Sequence, residues 1–561
     1  MNKIDKKITQ IMQNNYIMCA FFLIIGILIS VIYRYEILSD FNNYHYYLPW
    51  AFFHNRTFEN IAVAMENSYH NPLIEIPAYF IVNKFNDTPV ILHIYQSIYW
   101  GLLLFVFYRL CFLIFGTKTI KSKTQIILSV ILASTGFAFL TQNGTSSNEI
   151  PVSLCVLTGL YLLYREIFVL KTERTKIFFI AGFIVGGALG LKLTIITYCI
   201  SLGLTLLLFW KQLKTPIRTI SFFALGGFCG FMLTYGWWGV ILYKEFNNPI
   251  FPYLNNIFKS DFYSEEFLSY SSFYEKRPID YLIFPFLASF QKDVRITAEP
   301  YMLDARLALG YILLIIYTIG ALCCKKFISN IKKYPQIAFL VIFSIISYLI
   351  WLKMFAIIRY AVPFEMLISV FIVLSFFKII PKSLVGVSIY ASSGIILLFV
   401  LFSGLPYTSW GNRLGSEKII ESEKIKLPEN SMIIAISPNV GLAITQILED
   451  NPNVKIANET SSFTIPGRAL HKKITEYKES SDYIAYILAL KTQKYKFDNK
   501  TPVSAIKNDN LPEVFSNLQF IIKSELGVEN FYCQSIMNNF GYNHIFLCID
   551  KKDKNSIFTK E

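Results

Sequence analysis

The chain has 561 residues, 54% hydrophobic, 16% aromatic and 16% charged, with a net charge of +14 and a mean hydropathy of +0.45. Soluble globular proteins carry about 25% charged residues, and the apolar residues here arrive in long charge-free runs such as 16–33 and 384–405. These features exclude a soluble, disordered, collagen-like or disulfide-scaffold protein and point to an α-helical polytopic membrane protein.

Residues 1–10 place Lys3, Lys6 and Lys7 ahead of the first run. A cleaved signal peptide and a retained first helix both start this way. The run is long, lacks a small-residue cleavage site and precedes many further spans, which favours a retained helix with a cytoplasmic N-terminus. About 11 transmembrane helices are expected, near 16–35, 91–116, 125–141, 150–168, 177–193, 195–210, 219–243, 304–324, 336–352, 360–378 and 383–404.

Alternate loops hold Lys118/Lys121/Lys123, Arg165/Lys171/Arg174/Lys176, Lys211/Lys214/Arg218, Lys325/Lys326/Lys332/Lys333 and Lys378/Lys382. All fall on the side of the N-terminus, so the positive-inside rule accounts for the basic charge with no nucleic-acid partner. An odd number of spans puts the C-terminus outside the plasma (inner) membrane. The expected division is a membrane domain over 1–404, with outer loops 36–90 and 244–303, and an extracytoplasmic α/β domain over 405–561.

The outer side collects the unusual polar residues. After the first span come Asp40, Phe41, Asn42, Asn43, Tyr44 and His45, followed by Tyr46, Tyr47 and Trp50. An interfacial aromatic belt explains the rings but not the acid among them. Residues 66–77, with His70, are too polar and proline-punctuated to span. They fit one or two helices on the membrane surface, or a lid over an embedded pocket. The second outer loop, 142–151, ends in Asn148 and Glu149 ahead of Pro151. These two residues suit either capping of the next helix or a cavity shared with Asp40.

Lys192 interrupts a glycine-rich apolar stretch, 186–194. It either snorkels to the outer surface or marks a site, with the glycines giving room to a bulky ligand. Residues 248–252, Asn-Pro-Ile-Phe-Pro, form a rigid turn expected to expose its side chains. Arg306 and Arg359 either pair with Asp304 and Glu365 or grip a phosphate, for which Arg is well shaped.

The C-terminal segment is richer in charge. Residues 432–436, 454–457, 483–490 and 544–549 are expected to be strands, and 439–448 and 511–524 helices. Seven of nine cysteines lie in or beside apolar runs, where they act as small hydrophobes. Cys533 and Cys548 lie in the C-terminal segment, either bridged or as buried thiols. No cysteine or histidine spacing suggests a metal site.

At these residues the chain resembles the GT-C superfamily of integral-membrane glycosyltransferases. The resemblance rests on an acid just after the first span (Asp40), the Thr/Asn/acid segment 145–149, the Gly-Leu-Lys-Leu-Thr turn 190–194 and the Asn-Pro-x-Phe-Pro segment 248–252, and it covers roughly residues 16–405. It implies a polyprenyl-phosphate-linked sugar donor, an acceptor outside the cytoplasm and inversion at the anomeric carbon. It gives Asp40 the role of general base, a role that suits a carboxylate within reach of an acceptor hydroxyl. Lys192, Arg306 and Arg359 are then the candidates for the donor phosphate, and His45, His70, Asn148 and Glu149 those for sugar or acceptor hydroxyls. Asp40 is followed by Phe41 and Asn42, with no Asp-x-Asp pair in the first loop, so no divalent metal or other cofactor is expected. The alternatives are a transporter or flippase of lipid-linked sugars and a pyrophosphate-lipid-dependent polymerase or ligase. The absence of an internal repeat and the clustering of polar residues at one membrane face favour an enzyme.

Overall fold

The structure is a computed structural model that describes residues 3–33, 40–265, 277–290, 303–323, 334–379, 418–459, 463–491, 531–536 and 543–550, with a few isolated positions between them. Among these, six helices are long and apolar enough to cross a membrane: Asn15–Ile32, Val90–Phe115, Glu149–Leu170, Pro216–Phe246, Pro335–Met354 and Ile358–Phe377. Thr175–Leu191, Leu193–Leu208, Pro278–Ser289 and Arg306–Gly320 are apolar but shorter.

The expected 11 spans are therefore not found. The difference is one of length: 18 residues rise about 27 Å, close to a hydrocarbon core of about 30 Å, whereas the 13 residues of Ile196–Leu208, within the expected span 195–210, rise only about 20 Å. The expected run at 125–141 is split at Gly136 into Ile120–Ser134 and Phe137–Leu140. That at 383–404 lies outside the described residues.

The chain forms two compact units. The first comprises Met1–Tyr33, His93–Trp237 and Ser269–Trp410, the second Arg34–Leu92, Trp238–Leu268 and Gly411–Glu561. A single cut near 404 does not describe this arrangement, because two earlier segments belong with the C-terminal one.

In the first unit, small residues let helix backbones meet. A Cβ on Gly182 would lie 2.0 Å from the Phe223 carbonyl oxygen, and one on Gly186 2.0 Å from that of Gly227. From the other side, Gly226 and Gly230 abut the carbonyls of Phe179 and Phe183. Thr175–Leu191 and Pro216–Phe231 thus pack through small residues at every fourth position, the arrangement that favours close approach in lipid. Within the 186–194 stretch, Gly186 and Gly190 abut Gly227 and Thr234, which corrects the expectation that these two give room to a ligand.

In the second unit, β1 (Ser431–Ala435), β2 (Lys455–Asn458), β3 (Tyr483–Lys491), β4 (Phe531–Ile536) and β5 (Asn543–Asp550) form one sheet in the order β2-β1-β3-β5-β4. β1 is parallel to β2 and β3, while β5 runs antiparallel to β3 and β4. Gly441–Asp450 follows β1, and Ala469–Glu479 precedes β3. The four expected strands and the 439–448 helix are present; 511–524 lies outside the described residues. Backbone register sets Cys533 opposite Cys548, and Cys548 is disulfide-bonded.

The first loop completes this domain. Ile61 bridges to the β2 edge, donating to the Ile456 carbonyl at 2.9 Å and accepting from Asn458 N at 2.8 Å. Arg56 donates to the Val454 carbonyl at 2.5 Å, and Lys473 and Tyr477 donate to the carbonyls of Phe58 and Glu59. These bonds cover a sheet edge that would otherwise expose unpaired backbone groups.

Candidate functional site

In the first unit, Ile120–Ser134 ends at Gly136 and the chain enters residues 141–149, all of them buried. A buried polar loop is unusual because its hydrogen-bonding groups lose water. Part of the demand is met internally: Ser147 donates to Gln142 Oε1, Thr145 and Ser147 share a 2.9 Å hydrogen bond, and Asn143 Nδ2 donates to the Gly26 carbonyl. Ser146 Oγ and Asn143 Oδ1 are buried with no hydrogen-bond partner among the described residues. The loop ends by opening the Glu149–Tyr164 helix, with Asn148 at the cap position but no cap bond from its side chain.

Glu149 is 3% exposed at its side chain and receives two cations. Lys192 Nζ lies 2.7 Å from Oε1, and Arg359 Nε lies 3.3 Å from the same oxygen. Lys192 is placed by the break between Thr175–Leu191 and Leu193–Ile195, where it adopts an extended conformation. Arg359 lies in the short helical turn Ile358–Ala361. Both cations lie 5.5 Å from the ring of Tyr360, a favourable site for positive charge. The Tyr360 carbonyl accepts from Tyr198 Oη at 2.5 Å. Lys192 and Arg359 are themselves largely buried, with 15% and 16% side-chain exposure.

Arg306 lies in a separate network. Its guanidinium is paired with Asp304 and donates to the Leu132 carbonyl at 3.2 Å and Thr135 Oγ1 at 2.7 Å. Asp304 also accepts from Phe137 N, and Glu365 from Ala138 N and Phe139 N. The two acids hold the start of Phe137–Leu140 and so set the entry to the buried loop. The structure thus gives Arg306 the acidic partner that the sequence offered as its alternative. Glu365 serves the backbone instead of an arginine.

Asp40 belongs to the second unit. It precedes a π-helical turn, Phe41–His45, continued by Tyr47–Phe53. Asn43 pins this turn: its Oδ1 accepts from Asn439 N at 3.3 Å, and its carbonyl faces Gly441 so closely that a Cβ there would come within 1.9 Å. His45 lies 2.5 Å from Glu75 Oε1, both side chains being buried. The Tyr44 ring lies 4.2 Å from that of His45 and 5.9 Å from that of His70. His70 Nε2 is 2.9 Å from the Tyr253 hydroxyl. Nearby, burial pushes the phenols of Tyr47 and Tyr69 upward, so both stay neutral structural groups.

The 248–252 segment has a cis Phe251–Pro252 peptide. Phe251 is 1% exposed and stacks on Phe246 at 4.1 Å, which corrects the expected exposure of this turn. Residues 66–77 form two short 3-10 turns, Met65–Tyr69 and Pro72–Ile74, leading into the Ile76–Lys84 helix.

Of the residues singled out from the sequence, Glu149, Lys192 and Arg359 meet in one cluster, and His45 and His70 both neighbour the Tyr44 ring. Tyr360, Tyr198 and Glu75 were not foreseen. Glu75 sits in a polar loop without periodicity, and only its pairing with His45 gives it significance. Among the described residues, no group of three or more His, Cys, Asp or Glu is arranged to hold a metal ion. No family model and no curated protein matches the chain.

Proposed function

We propose that the protein is a membrane glycosyltransferase that moves a sugar from a polyprenyl-phosphate donor to an envelope acceptor outside the cytoplasm, with Asp40 as general base. The observation that carries this reading is the sharing of Glu149 Oε1 by Lys192 and Arg359 beside the buried loop 141–149. Two cations reaching one oxygen are spaced to share an oxygen of a lipid phosphate. In a low-dielectric site such contacts stabilise the charge that develops on the departing phosphate. Asn148 and Glu149 lie at the same place and suit sugar hydroxyls. Asp40 takes the acceptor proton as the anomeric carbon is attacked, and the configuration inverts.

The disulfide at Cys548 supports an oxidising compartment for the C-terminal segment. The basic loops place the N-terminus in the cytoplasm by the positive-inside rule, and the C-terminal domain outside the plasma membrane. The test compares envelope glycans by mass spectrometry in cells lacking the protein and cells carrying wild type, Asp40→Asn or Lys192→Ala. A sugar absent from the null strain should be restored by wild type alone. Loss of Asp40 should slow transfer by about 10²–10⁴, and loss of Lys192 by about 10²–10³. Unchanged glycans in the null strain, or full activity of Asp40→Asn, would overturn the proposal.

A further inference from the structure

We infer that Glu75 and His45 form an acceptor-binding dyad in which His45 Nε2 receives a hydrogen bond from a hydroxyl group of the acceptor. This deepens the glycosyl-transfer reading and rests on it for the identity of the bound molecule. The geometry lies within the second unit. His45 is 4% exposed and ends the π-helical turn, with Nδ1 2.5 Å from Glu75 Oε1. An ionised carboxylate only accepts hydrogen bonds, so in the neutral ring the proton sits on Nδ1 and Nε2 carries a lone pair. That Nε2 is buried and has no hydrogen-bond partner among the described residues. Native proteins seldom leave a buried polar atom in this condition without a use for it.

The surroundings narrow the ligand class. Nε2 can accept but not donate, which selects an O–H or N–H group and rejects an ether or carbonyl. The Tyr44 ring, tilted 41° at 4.2 Å from the imidazole, adds an aromatic surface. A polyhydroxylated molecule satisfies both, with O–H for the nitrogen and C–H faces for the ring. Backbone bonding in a π-turn runs from i to i+5, so Asp40 and His45 occupy the two ends of one turn. In an α-helix they would be about 140° apart around the axis. One turn therefore carries both the group that binds one acceptor hydroxyl and the group proposed to deprotonate another. Glu75 is a positioning residue that acts through the His45 tautomer.

The test is magic-angle-spinning NMR of the full chain in lipid nanodiscs, labelled with 15N-histidine, with His45→Gln assigning the His45 signals. Glycerol serves as the hydroxyl probe, and its trimethyl ether as a control of similar shape without O–H donors. The expected result is a protonated Nδ1, an unprotonated Nε2, and an Nε2 resonance that moves with glycerol but not with the ether. Glu75→Gln should shift the proton toward a mixture of tautomers and weaken the glycerol response while thermal stability is retained. A proton on Nε2 in the wild type, or the same response (or none) to both probes, would overturn the inference. No sugar donor is used, so this outcome is independent of whether the transfer reaction proposed above is found.

Discussion

At the scale of single residues, charged groups lie where lipid or protein would otherwise exclude them. Lys192 was legible in the sequence because a lone charge inside an apolar stretch has few inexpensive explanations. Its surroundings were less so: Glu149 and Arg359 are distant from it in the chain, and only folding brings Lys192 and Arg359 to 2.7 and 3.3 Å from one Glu149 oxygen. Arg359→Lys keeps the charge but removes the planar fork suited to phosphate. Donor KM should rise about tenfold, the effect of losing roughly 1.4 kcal/mol, with protein stability unchanged. A different carboxyl governs a pH effect. Burial pushes the Glu449 carboxyl upward, with His54 opposing the shift and Asp450 adding to it. The folded state therefore holds this proton more tightly than the unfolded chain. Its contribution to stability is full below the ordinary carboxylate range and is lost as pH rises through the folded value. Melting of the full chain in detergent at a series of pH values should show this decline in wild type and not in Glu449→Gln.

At the scale of elements, glycines decide which surfaces meet. The 182/186/190 spacing could be read from the sequence as a helix-packing stripe. Its nearness to Lys192 instead suggested space for a ligand, and the fold resolves the ambiguity in favour of helix contact. Gly186→Val drives a side chain into the Gly227 carbonyl. It should cost about 1–3 kcal/mol, the usual range for overpacking, seen as a lower Tm of the detergent-solubilised protein. Gly441→Ala presses on the Asn43 carbonyl, so it should displace the turn carrying Asp40 and His45 and reduce transfer as well as stability. In the C-terminal segment, two elements escaped the sequence reading. Ala469–Glu479 is mostly polar, with Leu470 and Ile474 its buried residues, too thin a stripe to stand out. Phe531–Ile536 is six residues long and mixes polar with apolar positions.

At the scale of the whole molecule, composition alone established a helical membrane protein and a charged C-terminal α/β segment. It did not show that 34–92 and 238–268 belong with that segment, because the bonds joining Ile61 to β2 and Arg56 to Val454 link residues almost 400 apart and leave no local pattern. The orientation proposed here makes a direct prediction. In intact cells, a bulky maleimide should label Glu429→Cys, whereas Lys211→Cys should react only after the membrane is permeabilised. The reverse pattern would invert the topology.

The position of the donor phosphate is decisive, and a cryo-EM map of the full chain in nanodiscs with added polyprenyl phosphate measures it directly. It should show headgroup density within hydrogen-bonding distance of both Lys192 Nζ and the Arg359 guanidinium, lost in Lys192→Ala. A well-occupied lipid phosphate bound elsewhere, with Lys192 and Arg359 still closed on Glu149, would contradict it.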